Sequence, residues 1–186
     1  MSAELVVAVR ARVSAALPPP VTEAAISAAE VKLGFALPCL LRELYRQVGN
    51  GHFGPGFGLL SLTDIGDGER SVVELYSELR SDHAEGPSWK WPAGLLAVVD
   101  WGCNIFSCLD CLTPSAPVLT YEYVGGPLEN SIVPTHYGLE SWLQDWLAGV
   151  DVFESLYEHA PELDRVITNP FTKAPTVIKG RRLKRS

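Results

Sequence analysis

The sequence predicts one α+β domain in which a mostly antiparallel sheet packs against N-terminal and C-terminal helices. Helical spacing fills the first fifty residues, extended runs gather between 95 and 133, and helical spacing returns from 139. Strands collected in one block, not alternating with helices, argue against parallel βαβ units. Two extended runs, 95–101 and 105–109, are separated only by Gly102-Cys103-Asn104, a link short enough for a hairpin. A chain of 186 residues, 47% hydrophobic and 20% charged, is large enough to bury one substantial core.

Each element has a local justification. Leu5, Val9, Val13 and Leu17 recur every four residues and predict an amphipathic helix ended by Pro18-Pro19-Pro20. Thr22 suits the N-cap of a second helix, with Glu23 in its first turn, Ile26, Ala29 and Leu33 on its buried stripe and Gly34 closing it. Pro38 fits the start of a third helix whose apolar face is Leu40, Leu41, Leu44, Tyr45 and Val48, with Gly49 as its stop. Residues 50–68 are rich in glycine and read as loop, with 58–62 as a short strand. A helix is expected over 71–79 and a loop over 81–92. After the hairpin, 118–124 alternates with Leu119, Tyr121 and Tyr123 on one face, and 132–133 adds a short strand. Leu139, Trp142, Leu143, Trp146 and Leu147 mark a helix closed by Gly149, with both tryptophans assigned to the core. Asp151 and Glu154 have capping-box spacing for one more short helix. From Thr172 no apolar periodicity is visible, so the tail is expected not to pack.

Charge is unevenly distributed. Residues 1–172 carry a net charge of −13 and the tail 173–186 carries +6. An acidic body repels nucleic acid and steers basic proteins towards itself. The first sixteen residues contain Glu4, Arg10 and Arg12 and do not form a secretory hydrophobic segment, and no apolar run is long enough for a membrane span. A cytoplasmic protein binding neither nucleic acid nor membrane is expected.

The motifs that could carry chemistry are weak. Gly49-Asn50-Gly51-His52-Phe53-Gly54 matches a dinucleotide fingerprint literally, but a helix precedes it and a loop follows, the reverse of what pyrophosphate binding needs. Cys108 and Cys111 have metal-knuckle spacing, and Cys103, Cys39 or a histidine could complete a set. There is no second such pair, and Cys103 and Cys108 are expected on opposite strand faces, so packing is the preferred role. Asp100 and Asp110 flank the hairpin and could form an acid–base pair, but backbone capping is the commoner use of such residues. No nucleophile elbow, zinc-protease helix or phosphate-binding loop is present. No catalytic residue, metal or cofactor is expected.

Three stretches together resemble the SUKH superfamily, which includes the Smi/Knr cell-wall regulators of fungi and many bacterial immunity proteins. They are Val21-Thr22-Glu23 through Leu33-Gly34, Leu37-Pro38, Leu44-Tyr45 and Gly49-Asn50-Gly51; then Trp101-Gly102-Cys103-Asn104-Ile105-Phe106-Ser107-Cys108-Leu109-Asp110; then the helix 139–147. The resemblance implies an α+β fold without catalytic residues or cofactor, and a role in protein binding, in bacterial members commonly the neutralisation of toxins of contact-dependent or secreted polymorphic systems. The organisation then reads as an N-terminal helix over 1–17, a SUKH-like domain over 18–160 and a C-terminal extension with a basic tail over 161–186. The expected function is non-enzymatic binding of a basic toxin domain; the alternative is a regulatory or scaffold module of the Smi/Knr type without a toxin partner. Asp64, Asp67, Glu69 and Glu74 are the expected contact residues, because they sit in or beside a glycine-rich loop without a basic residue between His52 and Arg70. Trp89 and Trp91, in a proline-bounded loop, are the next candidates as aromatic anchors.

Overall fold

Capping chemistry decides where the helices begin and end. The computed structural model describes residues 2–13, 16–66, 68–81, 90–123, 128, 131–158, 165–168 and 175–178. Helix α1 (Ser2–Arg12) buries Leu5, Val6 and Val9. It ends well before the three prolines, and Val13 and Leu17 pack on the core from non-helical chain. The Pro18 carbonyl accepts the Asn50 N–H at 3.2 Å, which ties this segment to the end of α3 instead of extending the helix. Helix α2 (Glu23–Leu33) is capped as its sequence predicts: Thr22 Oγ1 accepts from Ala25 N at 3.2 Å, and Gly34 N–H donates to Glu30 O at 2.9 Å. Helix α3 (Cys39–Gln47) starts after Pro38 and buries Leu41, Leu44 and Tyr45. Helix α4 (Val72–Arg80) opens with a reciprocal capping box between Ser71 and Glu74.

The extended runs form one antiparallel meander, β1 (Leu95–Gly102), β2 (Ile105–Asp110), β3 (Pro117–Glu122) and β4 (Ile132–Gly138), in that spatial order. The β1–β2 link is a two-residue turn with positive φ at both Cys103 (53°) and Asn104 (61°), the pattern that suits the twist of a tight hairpin. Strand β4 is longer than the two residues expected, because Pro134 is tolerated at the sheet edge. Burial in β3 also differs from expectation: Val118, Thr120 and Tyr121 are buried, Leu119 is half-buried and Tyr123 lies exposed just past the strand. Both faces of this inner strand are covered, so simple alternation breaks down. Residues 58–62 are not a strand. Leu60 N–H reaches Val98 O at 2.8 Å, but the Asn50 side chain takes the Leu62 N–H at 2.8 Å, so no ladder forms.

Helices α5 (Leu139–Leu147) and α6 (Val152–Glu158) follow, α6 being capped by Asp151 Oδ1, which accepts from Phe153 N at 3.0 Å and Glu154 N at 3.2 Å. Helix α5 touches α1, α3, β3, β4 and α6, and so joins the helical layer to the sheet. A single hydrophobic cluster runs from Leu5 to Leu156, so α1 shares the core of everything after it. The tail departs from expectation, since β5 (Arg165–Thr168) and β6 (Pro175–Ile178) pair as a separate antiparallel two-stranded sheet. The β-branched residues Val166, Ile167, Thr168 and Thr176, Val177, Ile178 are the physical reason, and they are too short a pattern to register as periodicity.

Candidate protein-binding surface

The acidic stretch after the glycine-rich loop is on the surface, but its carboxylates are not equivalent. Asp64 is exposed and its Oδ1 accepts the Gly66 N–H at 2.7 Å. Glu69 is exposed. Glu74 is exposed too, but its Oε2 accepts both the backbone N–H of Ser71 at 2.9 Å and the Ser71 hydroxyl at 2.8 Å. The Ser71 N–H first, and then its hydroxyl, hold the Glu74 carboxyl below its ordinary value. Glu74 is therefore committed to starting α4. Asp67 and Trp89 lie outside the described residues.

Trp91 corrects the expectation of an exposed anchor. It is fully buried, its Nε1–H donates to Leu95 O at 2.7 Å, and its ring meets Tyr121 edge-on with centroids 5.2 Å apart. Tyr121 stacks in turn on Phe106, its partner across β2 and β3. Burial of so large a ring with its one donor satisfied makes Trp91 part of the core.

The most exposed large aromatic among the described residues is Phe57, which sequence reading missed. It is 86% exposed at the tip of Pro55-Gly56-Phe57-Gly58, where Gly58 N–H closes a turn on Pro55 O at 2.9 Å. Below the tip the loop is clamped: His52 N–H donates to Leu59 O at 2.7 Å, and Leu59 N–H donates to Phe53 O at 2.7 Å. Gly56 lies flat on Trp101, so that a Cβ there would sit 2.6 Å from the indole, and a Cβ on Gly58 would meet the His52 carbonyl carbon at 2.5 Å. Trp101 is half-buried, donates Nε1–H to Ser107 Oγ at 2.9 Å, and packs on half-buried Phe153 at 4.8 Å between centroids. Asp151 and Glu154, both exposed, flank Phe153 on α6. Phe57 between two glycines that close contacts require small was the available signal.

Charge segregates around this surface. From Trp91 to Asp164 there is neither lysine nor arginine, and every charged side chain other than histidine is Asp or Glu. Each arginine of the first eighty residues has a partner within the fold. Arg42 is held by Glu23 and by Glu30, the latter at 2.7 Å; Arg46 pairs with Glu43 at 2.6 Å and Arg70 with Glu78 at 2.9 Å. Arg10 donates to Gln47 O at 3.2 Å, Arg80 to Trp91 O, and Arg12 lies 5.8 Å from the Trp146 ring centre.

The other candidate chemistry resolves into structural roles. Asn50, almost fully buried, ties the loop together: its Nδ2 donates to Thr63 O and Oγ1, each at 3.0 Å, and its Oδ1 accepts from Leu62 N. The glycine-rich motif is thus a loop knot between α3 and a non-helical segment. Asp100 and Asp110 sit at opposite ends of the hairpin, Asp100 opposite Phe106 and Asp110 opposite Leu95. They accept from Gly102 N at 2.7 Å and from Leu112 N at 3.0 Å. Cys103 is exposed at the turn and Cys108 is buried in β2, where burial raises its thiol pKa; burial pushes Cys111 up to about 12. Both buried thiols are poor nucleophiles. Among the described residues no three His, Cys, Asp or Glu side chains are grouped to hold a metal, and no helix is long and apolar enough to cross a membrane. A cleft of about 400 Å³ opens between Lys32, Phe35, Tyr76, Arg80, Gly94 and Leu112. Its charge is of the sign opposite to that of the Phe57 surface.

Helices before and after a four-stranded antiparallel meander define an α+β domain. The chain belongs to the SMI1/KNR4 family (SUKH-1), whose profile matches residues 20–145. It is accordingly a Smi/Knr-type or immunity-protein-like domain. No curated protein and no solved structure matches the chain significantly.

Proposed function

We propose that this chain is a non-enzymatic protein-binding domain whose partner is a basic protein, most simply a toxin domain that it neutralises in the cytoplasm. The observation that carries this reading is the charge segregation: arginines of the helical layer are paired internally, while the stretch from Trp91 to Asp164 offers only carboxylates. Such a field steers cationic partners and repels phosphate backbones, and nucleic-acid-cleaving toxins carry basic sites. Family membership supports protein interaction as the mode of action. The turn-capping duties of Asp100 and Asp110 and the raised thiol pKa values of Cys108 and Cys111 leave no assembled acid–base or nucleophilic set among the described residues. Four free cysteines fit a reducing compartment.

Asp64, Asp67 and Glu69 are assigned to steering. Changing the three together to Lys is expected to slow association with a basic toxin encoded beside this chain by about tenfold and to reduce protection of cells producing it, with rate falling as salt rises. A folded variant with unchanged association rate and protection would remove the acidic stretch from the interface. A chain that neither binds nor protects against that toxin would favour the regulatory module.

A further inference from the structure

We propose that the surface formed by Phe57, Trp101 and Phe153, with Asp151 and Glu154 beside it, is the place where an arginine- or lysine-rich segment of the partner docks. This rests on the reading of the chain as a binding domain and adds the location and chemistry of its anchor. Phe57 is 86% exposed, yet its loop is fixed by the His52–Leu59 and Leu59–Phe53 backbone bonds and by the flat seating of Gly56 on Trp101. The phenyl group is therefore presented already ordered, which spares the entropy that a mobile loop loses on binding. Anchor residues of interfaces are typically large aromatics, and exposed aromatic faces attract guanidinium and ammonium groups.

Charge complementarity selects the occupant. The chain has no lysine or arginine between Arg46 and Arg70 or between Lys90 and Arg165, the two stretches that supply this surface. Asp151 uses one oxygen to cap α6, and Glu154 makes no ion pair among the described residues. Among the described residues, a cation stacked on Trp101 or Phe57 thus meets carboxylates from the same two stretches and no lysine or arginine of theirs. The cleft lined by Lys32 and Arg80 has the wrong sign for the same segment.

The experiment is an NMR titration of the full-length chain with a hexapeptide of alternating arginine and tryptophan. Amide shifts are expected to concentrate in 52–59, 101–104 and 151–155. Phe57→Ser, and separately Asp151→Lys with Glu154→Lys, should each weaken binding by about tenfold while the spectrum of the remaining chain is preserved. Shifts confined to 64–74 would overturn the anchor and leave the binding-domain reading intact. Absence of binding at low salt would overturn the cation-recognising surface, whereas failure of the toxin experiment alone would overturn the toxin reading. A second arm changes Lys179, Arg181, Arg182, Lys184 and Arg185 together to Ser in the full chain. If the same amides move without peptide, the occupant is the chain's own tail and the proposal of a partner segment fails; unmoved amides support it.

Discussion

The helical layer and the sheet-bearing half handle charge in opposite ways. In α2 and α3, Glu30 uses both carboxylate oxygens, one accepting the Leu37 N–H at 2.9 Å and the other Arg42 Nη1 at 2.7 Å, and Arg42 also reaches Glu23. Glu43 does the same locally, bonding Arg46 and Gln47. Around the meander and α6 the described carboxylates serve the backbone: Asp100, Asp110 and Asp151 each accept neighbouring backbone N–H groups. Paired charge thus ties α2 to α3, whereas these three carboxylates cap turns and the start of a helix. The difference teaches that net charge alone says little here, because the described arginines are engaged by partners of their own.

The joint between the two halves should be the most sensitive point. Trp142 on α5 is fully buried where that helix bridges α1, α3 and the sheet, whereas Trp146, one turn later, is half-buried beneath Arg12. Trp142→Ala is expected to destabilise by about 3–5 kcal/mol and Trp146→Ala by clearly less. Urea unfolding of both variants checks this. Equal losses would mean that the contact with α1 matters as much as the buried core, and the contrast between halves would lose its structural hinge.

A middle-sized effect should follow from breaking charge pairing in the helical layer. Glu30→Ala leaves the Leu37 N–H without its acceptor and Arg42 with Glu23 alone, in a partly buried position, at an expected loss of about 1–2 kcal/mol. It also removes the larger of the two carboxylate contacts, Glu30 and then Glu23, that hold the Arg42 guanidinium above its ordinary pKa. Thermal melts of Glu30→Ala and Asp151→Ala make the comparison sharp, because within the fold Asp151 acts as an exposed cap and its loss should remain near the lower end of cap values, about 0.5 kcal/mol. A larger loss at Asp151 would reverse the assignment of structural and binding carboxylates.

Much of this architecture is readable in sequence because it is local. Thr22 and Gly34 announce α2, the Ser71–Glu74 spacing marks the start of α4, and Cys103-Asn104 sits where a tight turn must. What escapes is decided at long range. Asn50 takes the Leu62 N–H from twelve residues away and bonds Thr63 from thirteen, which turns an expected strand into a tied loop. Trp91 has the same proline-bounded setting as an exposed anchor and becomes core only because Tyr121 and the Leu95 carbonyl are waiting for it. Phe57 looks like one apolar residue in a glycine run, and its exposure depends on Gly56 meeting Trp101 across the fold. Charge can nominate contact residues from sequence, whereas the shape that presents Phe57 is set by contacts across the fold.

The smallest effect is expected at Glu74, which tests whether a carboxylate of the acidic stretch belongs to the fold or to the partner. The Ser71 N–H, and after it the Ser71 hydroxyl, lower its pKa from the ordinary 4.5. A carboxyl depressed in the folded state is protonated first in the unfolded chain as pH falls. Its contribution is therefore complete above the unfolded value and is lost as pH drops through the folded one. Wild type should exceed Glu74→Gln in stability at about pH 7, and the gap should close as the carboxylate range is crossed towards about pH 3. Urea unfolding at both pH values reads this directly. Full exposure keeps the gap small. Glu74→Gln should also leave association with a basic partner nearly unchanged, in contrast to reversal at Asp64 and Glu69, because its oxygen already faces Ser71. A pH-independent gap would deny the capping role, and a slowed association rate with an intact α4 would return Glu74 to the binding surface.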